Sequence, residues 1–217
     1  MNLLLTSSKI NRNSEIKISG SKSETNRLLL LKAIFPNIVL ENCSNSDDSQ
    51  VMIKAFSKNH QPSTINLIDI HHAGTAMRFL TAYFAIQEGR TVIITGSSRM
   101  KERPIKILVE ALQQLGAEIA YEESEGFPPI KVTGKKLIQN KISLPANISS
   151  QYISALLLIA PKLENGLELT LEGAITSVPY IKMTLALLNE IGVETSFLSN
   201  KIIVKPTPNT TPNNYIN

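Results

Sequence analysis

Hydrophobic and polar positions follow two alternating periods along this chain. Glu15-Ile16-Lys17-Ile18-Ser19 changes polarity at every residue, which predicts a strand with one covered face. Gly20 breaks that pattern, and a helix follows to about Phe35, stopped by Pro36. Residues 38–42 read as a second strand. Asn45-Ser46-Asp47-Asp48 then opens a helix with the apolar stripe Val51, Met52, Ile53, Ala55 and Phe56. The same order returns over 63–138. A strand at 65–70 leads to Ala73-Gly74-Thr75 and a helix over 76–87. A strand at 91–95 leads to Arg103-Pro104 and a helix over 105–115. It returns again over 139–205. A strand at 141–144 leads to Ser149-Ser150 and a helix over 151–163. A strand at 167–171 leads to Ser177-Val178-Pro179 and a helix over 180–191.

The last two passes agree in their punctuation. Pro104 to Gly116 is 12 residues and Pro179 to Gly192 is 13. Proline suits a first helical turn, where its missing N–H costs nothing, and glycine suits the left-handed position just past a helix end. Each helix then runs into a strand, at 118–121 and 194–197. The expected fold is therefore α/β (α+β), with three β-α-β-α-β-β units at about 15–62, 63–138 and 139–205 related by pseudo-threefold symmetry. Leu28-Leu29-Leu30-Leu31 and the run 155–160 are apolar around most of the helix circumference. Such helices belong in the middle of a domain with the sheets outside.

Composition narrows the function. The 217 residues carry 22 Lys plus Arg against 18 Asp plus Glu, a net +4, with no Trp and 5% aromatics. That suits small acidic molecules and argues against nucleic acid, which needs a long basic track and stacking rings. The lone Cys43 allows no internal disulfide, as in a reducing compartment. The apolar start at 1–6 is too short for a signal peptide, and the run 155–160 ends at Pro161, too short to cross a bilayer. The expectation is a cytoplasmic, monomeric protein with no membrane or nucleic-acid partner.

The candidate chemistry sits at helix starts. Gly20-Ser21-Lys22-Ser23, Ala73-Gly74-Thr75 and Ser149-Ser150-Gln151 occupy equivalent places in the three units. The first N–H groups of a helix lack internal partners and carry partial positive charge, so they bind phosphate or carboxylate. Plain capping is the alternative for each opening, but it needs neither Lys22 nor Arg27. Arg103, beside a helix-opening proline, adds a bidentate fork, and Arg78 lies one turn after Gly74. Ser177 and Tyr180 flank Pro179, where hydroxyls can orient a polyol or phosphate. Asp47 and Asp48 read as a polar cap. His60, His71 and His72 lack metal-ligand spacing, so no metal site is expected.

At these residues the chain resembles the 5-enolpyruvylshikimate-3-phosphate synthases (3-phosphoshikimate 1-carboxyvinyltransferases). The motifs are Gly20-Ser21-Lys22-Ser23 with Asn26-Arg27, Ala73 to Arg78, Arg99 to Ile105, Ser149 to Tyr152 and Ser177 to Tyr180, together with Phe127-Pro128-Pro129. The resemblance implies transfer of the enolpyruvyl group of phosphoenolpyruvate to the 5-hydroxyl of shikimate 3-phosphate, with release of phosphate and without metal or organic cofactor. It implies that Lys22, Ser23, Arg27, Ser149, Ser150, Gln151, Ser177 and Tyr180 hold shikimate 3-phosphate. Lys22, Gly74, Arg103 and Gln151 would hold phosphoenolpyruvate, with Lys22 catalytic. Two positions depart from the family pattern: His72 replaces its usual asparagine and Phe79 its usual proline. The family has two similar domains, and the second supplies the acid/base carboxylates. This chain is accordingly read as a fragment that binds but does not turn over. Residues 1–14 would belong to the other domain and 206–217 would be a linker or tail. A UDP-N-acetylglucosamine enolpyruvyl transferase-like enzyme, an RNA 3′-phosphate cyclase-like protein and a non-catalytic anion-binding module are the alternatives.

Overall fold

The computed structural model describes residues 4, 6–7, 9, 11–57, 65–207 and 215–216; His60 and most of the expected tail lie outside the described residues. The elements in chain order are α1 (Lys22–Ile34), β1 (Val39–Leu40), α2 (Asp47–Ser57), β2 (Asn66–Asp69), α3 (Gly74–Ala85), β3 (Thr91–Thr95), α4 (Ser98–Lys101), α5 (Lys106–Gln114), β4 (Glu118–Tyr121), β5 (Ile130–Thr133), β6 (Lys141–Pro145), α6 (Ser150–Ile159), β7 (Leu167–Glu172), α7 (Val178–Glu190), β8 (Thr195–Leu198), β9 (Lys201–Val204) and β10 (Tyr215–Ile216). A single 3₁₀ turn, Ala160–Lys162, extends α6.

The repeat is explicit in the sheets. One has the order β2-β3-β5-β4 and the other β6-β7-β9-β8. In each, the first pair is parallel and bridged by a central helix, and the remaining pairs are antiparallel. The helices before the two closing hairpins also end alike. Gly116 and Gly192 take φ of 105° and 87°. The Ala117 and Val193 N–H groups donate back to the Leu112 and Leu188 carbonyls, each at 2.9 Å, the six-to-one bond of a Schellman stop.

Helices fill the middle. All twelve residues of α3 are buried, as are nine of the ten in α6, and these two helices pack on each other. Alternation on the strands turns Val92 and Ile94, or Ile142 and Leu144, inward to cover them. Trimming a fully buried leucine such as Leu156 to alanine costs about 2–5 kcal/mol in a core of this kind.

The structure departs from the sequence reading in several details. Residues 15–19 do not form a strand, and Ile16 and Ile18 are 81% and 73% exposed. Alternation marks a face, but a strand also needs a ladder partner, and no described strand pairs there. The strand expected at 38–42 shortens to β1, which pairs in parallel with β10. Pro104 precedes the Ile105 cap of α5 and so sits outside its first turn. His71 lies in a turn at φ 49°, its N–H held by Asp69 Oδ1 at 2.8 Å. The short α4, capped by Ser97 on the Met100 N–H at 3.3 Å, was not anticipated.

Gly134 shows how tightly α3 is enclosed. A Cβ there would overlap the carbonyl oxygens of Gln87 and Phe84, backbone atoms that cannot turn away. Gly134→Ala is expected to destabilise the chain by about 2–4 kcal/mol. Thermal unfolding would show this as a midpoint lowered by roughly 5–15 °C.

Candidate anion-binding site at three helix N-termini

The N-termini of α1, α3 and α6 meet. Ser21 caps α1 through the Glu24 N–H at 3.5 Å, and Ser149 caps α6 through the Gln151 N–H at 3.3 Å. Helix α3 has no cap of its own, because Ala73 offers no side-chain acceptor. Asp48 supplies it from α2, accepting the Thr75 N–H on Oδ1 at 3.2 Å. Its Oδ2 lies 3.8 Å from Lys22 Nζ at the start of α1. Gln151, opening α6, donates from Nε2 to Thr75 Oγ1 at 3.4 Å. A chain of contacts from Lys22 through Asp48 and Thr75 to Gln151 thus ties the three termini together.

Arginines close around this junction. The Arg103 guanidinium lies directly on Gly74, so that a Cβ there would meet its Nη1 at 2.5 Å and Nη2 at 2.7 Å. Partial burial and then the neighbouring Arg78 charge lower the Arg103 pKa, while Asp48 and Tyr152 oppose them. Arg78 is buried and donates to the Gly74 carbonyl at 3.0 Å and the Pro104 carbonyl at 2.9 Å. Tyr152 donates to the same Pro104 carbonyl at 2.7 Å and offers its ring to Arg78 at 5.6 Å. These bonds fix the loop that carries Arg103. Beside it, a cleft of about 520 Å³ is lined by His72, Arg99, Met100 and Arg103.

A second polar cluster lies deeper along α1. Arg27 is 3% exposed, and burial depresses its pKa to about 10, with Tyr180 acting the other way. Its Nε donates to Thr184 Oγ1 at 2.7 Å, Nη1 to the Ser23 carbonyl at 2.7 Å and Nη2 to Ser154 Oγ at 2.8 Å. At the start of α7, Ser177 sits at φ 56° and makes no side-chain capping bond. Tyr180 is 45% exposed, with its ring 5.9 Å from the Arg27 guanidinium.

The sequence-predicted residues therefore fall into two linked groups. Lys22, Gly74, Arg103 and Gln151 meet at the α3 terminus. Ser23 and Tyr180 meet around Arg27, and Ser149, Ser150 and Ser177 stand at the starts of α6 and α7. Sequence reasoning missed Ser154 and Thr184 and undervalued Asp48. Polar residues inside otherwise apolar helices were the available signal for the first two. His72 pairs with Asp47 at 3.4 Å, both exposed. Another cleft of about 520 Å³, lined in part by Ile86, Lys135 and Lys162, lies at the opposite ends of α3 and α6. Helix C-termini face it, and their carbonyl dipoles disfavour anions.

Comparison with known proteins adds to this geometry. A family model described as EPSP synthase (3-phosphoshikimate 1-carboxyvinyltransferase) matches residues 44–216. A 3-phosphoshikimate 1-carboxyvinyltransferase of Bacteroides fragilis is 49% identical over 195 residues, covering 89% of this chain and 46% of that protein. One from Haemophilus influenzae is 40% identical over 204 residues, covering 82% and 47%. The chain spans about half the length of the curated relatives it matches. Among solved structures, EPSP synthase from Acinetobacter baumannii superposes with a TM-score of 0.72 at 21% identity, covering 93% of this chain and 49% of that one. The enolpyruvyl transferase NikO from Streptomyces tendae gives 0.60 at 13% identity, covering 94% and 50%. These likenesses establish the fold as one domain of the two-domain enolpyruvyl transferase architecture. No helix among the described residues is long and apolar enough to cross a membrane.

Proposed function

The chain belongs to the EPSP synthase family, and we propose that it forms the shikimate-3-phosphate-binding half of an enzyme that moves the enolpyruvyl group of phosphoenolpyruvate to the shikimate 5-hydroxyl. The observation that carries this reading is the meeting of three helix N-termini through Lys22, Asp48, Thr75 and Gln151. Both substrates are multiply anionic. Helix dipoles, Lys22, Arg27 and Arg103 supply positive charge where their phosphates and carboxylates would lie.

In this assignment Ser23, Arg27, Ser149, Ser150, Ser177 and Tyr180 hold shikimate 3-phosphate. Gly74, Arg103 and Gln151 hold phosphoenolpyruvate, and Lys22 reaches both. The 5-hydroxyl oxygen bonds to C2 of the enol phosphate while the double bond takes a proton at C3; that methyl then gives a proton back as the C2–O bond to phosphate breaks, the double bond re-forms, and the hydroxyl proton leaves with phosphate. Lys22 and Arg103 stabilise the charge that develops on the departing phosphate, and the helix termini hold the two substrates in reach of each other. The proton is taken up and returned by carboxylates of a second domain, the C-terminal half of the same enzyme. The substrate domain comprises 15–205, residues 1–14 belong to that second domain, and 206–217 are a linker or tail. The whole works as a cytoplasmic monomer.

Calorimetric titration of the folded chain with shikimate 3-phosphate tests the reading. Saturable one-to-one binding without turnover is expected. No binding at about millimolar ligand would overturn it. Binding of a UDP-sugar in its place would assign the site to the UDP-N-acetylglucosamine type.

A further inference from the structure

The Arg27 guanidinium is buried, yet no carboxylate among the described residues forms an ion pair with it. Three of its five N–H groups are spent on neutral oxygens. Two of those oxygens, on Ser154 and Thr184, continue into one consistent chain of hydrogen bonds. Ser154 Oγ accepts from Arg27 and donates to Thr184 Oγ1 at 2.9 Å, and Thr184 donates to the Tyr180 carbonyl at 2.9 Å. Ser154 and Thr184 are both fully buried, in helices that are otherwise apolar at this depth. Buried hydroxyls of this kind are costly unless they hold something.

The faces of the guanidinium are also engaged. Phe79, fully buried on α3, places its ring centroid 5.6 Å from Arg27 Cζ, and Tyr180 on α7 places its own at 5.9 Å. Cations are attracted to ring faces within about 6 Å, more strongly when desolvated. Phe79 is the position where the resembled pattern carries proline, a residue with no ring face to offer. Hydrogen bonds fix the edges of the guanidinium plane, and two rings stand 5.6 Å and 5.9 Å from its centre.

We propose that Phe79, Ser154 and Thr184 are positioning residues for Arg27, which lock its plane so that the two remaining N–H donors face an anionic ligand. The inference rests on the shikimate 3-phosphate reading for the identity of that ligand. The lock itself exists without it. Ser154 and Thr184 act on two different nitrogens, so losing either frees one edge of the plane. Phe79 acts on the face alone.

The test uses the chain with Thr184→Val, Thr184→Ser, Ser154→Ala and Phe79→Leu, each checked by thermal unfolding. Two readouts are taken: the ¹⁵N-detected Arg27 Nε–H resonance, and calorimetric affinity for shikimate 3-phosphate. The parent chain is expected to show a slowly exchanging Nε–H signal. Thr184→Val should lose that signal and bind about tenfold more weakly, and Thr184→Ser should restore both. Phe79→Leu should keep the signal and bind about threefold more weakly. Ser154→Ala stands in if Thr184→Val does not fold, with a similar loss expected. Folded Thr184→Val and Phe79→Leu variants that bind within about twofold of the parent would overturn the proposal. If the parent binds no shikimate 3-phosphate, the substrate reading fails by itself. The lock is then decided by the resonance: retention in folded Thr184→Val refutes it, and loss with recovery in Thr184→Ser supports it.

Discussion

Replacing Arg27 by methionine is expected to remove shikimate 3-phosphate binding while leaving the chain as stable as before, or more stable. The two effects separate because of where the guanidinium sits. It is 3% exposed, and burial depresses its pKa to about 10. Holding it charged there costs energy that its neutral partners offset only in part, on the order of a few kcal/mol. Methionine has similar length, carries no charge, and puts a polarisable thioether beside the Phe79 and Tyr180 rings. The hydroxyls that lose Arg27 still have each other, since Ser154 and Thr184 lie 2.9 Å apart. Binding has no such substitute. Losing two charge-assisted bonds to a phosphate costs about 3 kcal/mol or more, which is roughly a hundredfold in affinity. Calorimetry and thermal unfolding on the same samples check both halves. A midpoint lowered by more than about 10 °C would show that Arg27 is structural, and affinity within about threefold of the parent would show that it does not reach the ligand.

Much of this arrangement was legible in the residue pattern, and the exceptions have physical causes. The repeat was readable because Gly116 and Gly192 end equivalent helices. Local chemistry dictates such stops, and both form the same six-to-one bond. The helix starts were readable for the same reason: Ser21 and Ser149 cap their own helices, a contact of two or three residues in reach. Asp48 was not readable as a site residue, because the helix it caps is α3 and not its own. Only the tertiary fold brings its carboxylate to the Thr75 N–H. Ser154 and Thr184 follow suit, being 127 and 157 positions from Arg27. The segment 15–19 failed in the opposite direction. Its alternation is local and real, but a strand is a property of a pair.

Gly74→Ala is the complementary case, in which the site changes and the fold does not. A methyl group on Gly74 would meet Arg103 Nη1 at 2.5 Å, Nη2 at 2.7 Å and Cζ at 2.8 Å. Something must move, and what moves decides the outcome. At Gly134 the obstructing atoms are backbone carbonyls, so the fold is strained. At Gly74 they are the far end of a long, exposed side chain that can swing into solvent. Alanine is also a better helix residue than glycine by about 1 kcal/mol at most, so stability should hold or rise slightly. The cost falls on recognition. Arg103 leaves the α3 terminus, and its bidentate fork no longer points where Lys22 and Gln151 converge. Phosphoenolpyruvate affinity of the chain saturated with shikimate 3-phosphate should drop about tenfold to a hundredfold, while shikimate 3-phosphate affinity stays within about twofold. Parallel titrations of the two ligands measure that split. Equal losses for both would place Arg103 in a shared role, and no loss for phosphoenolpyruvate would remove Arg103 from its binding site.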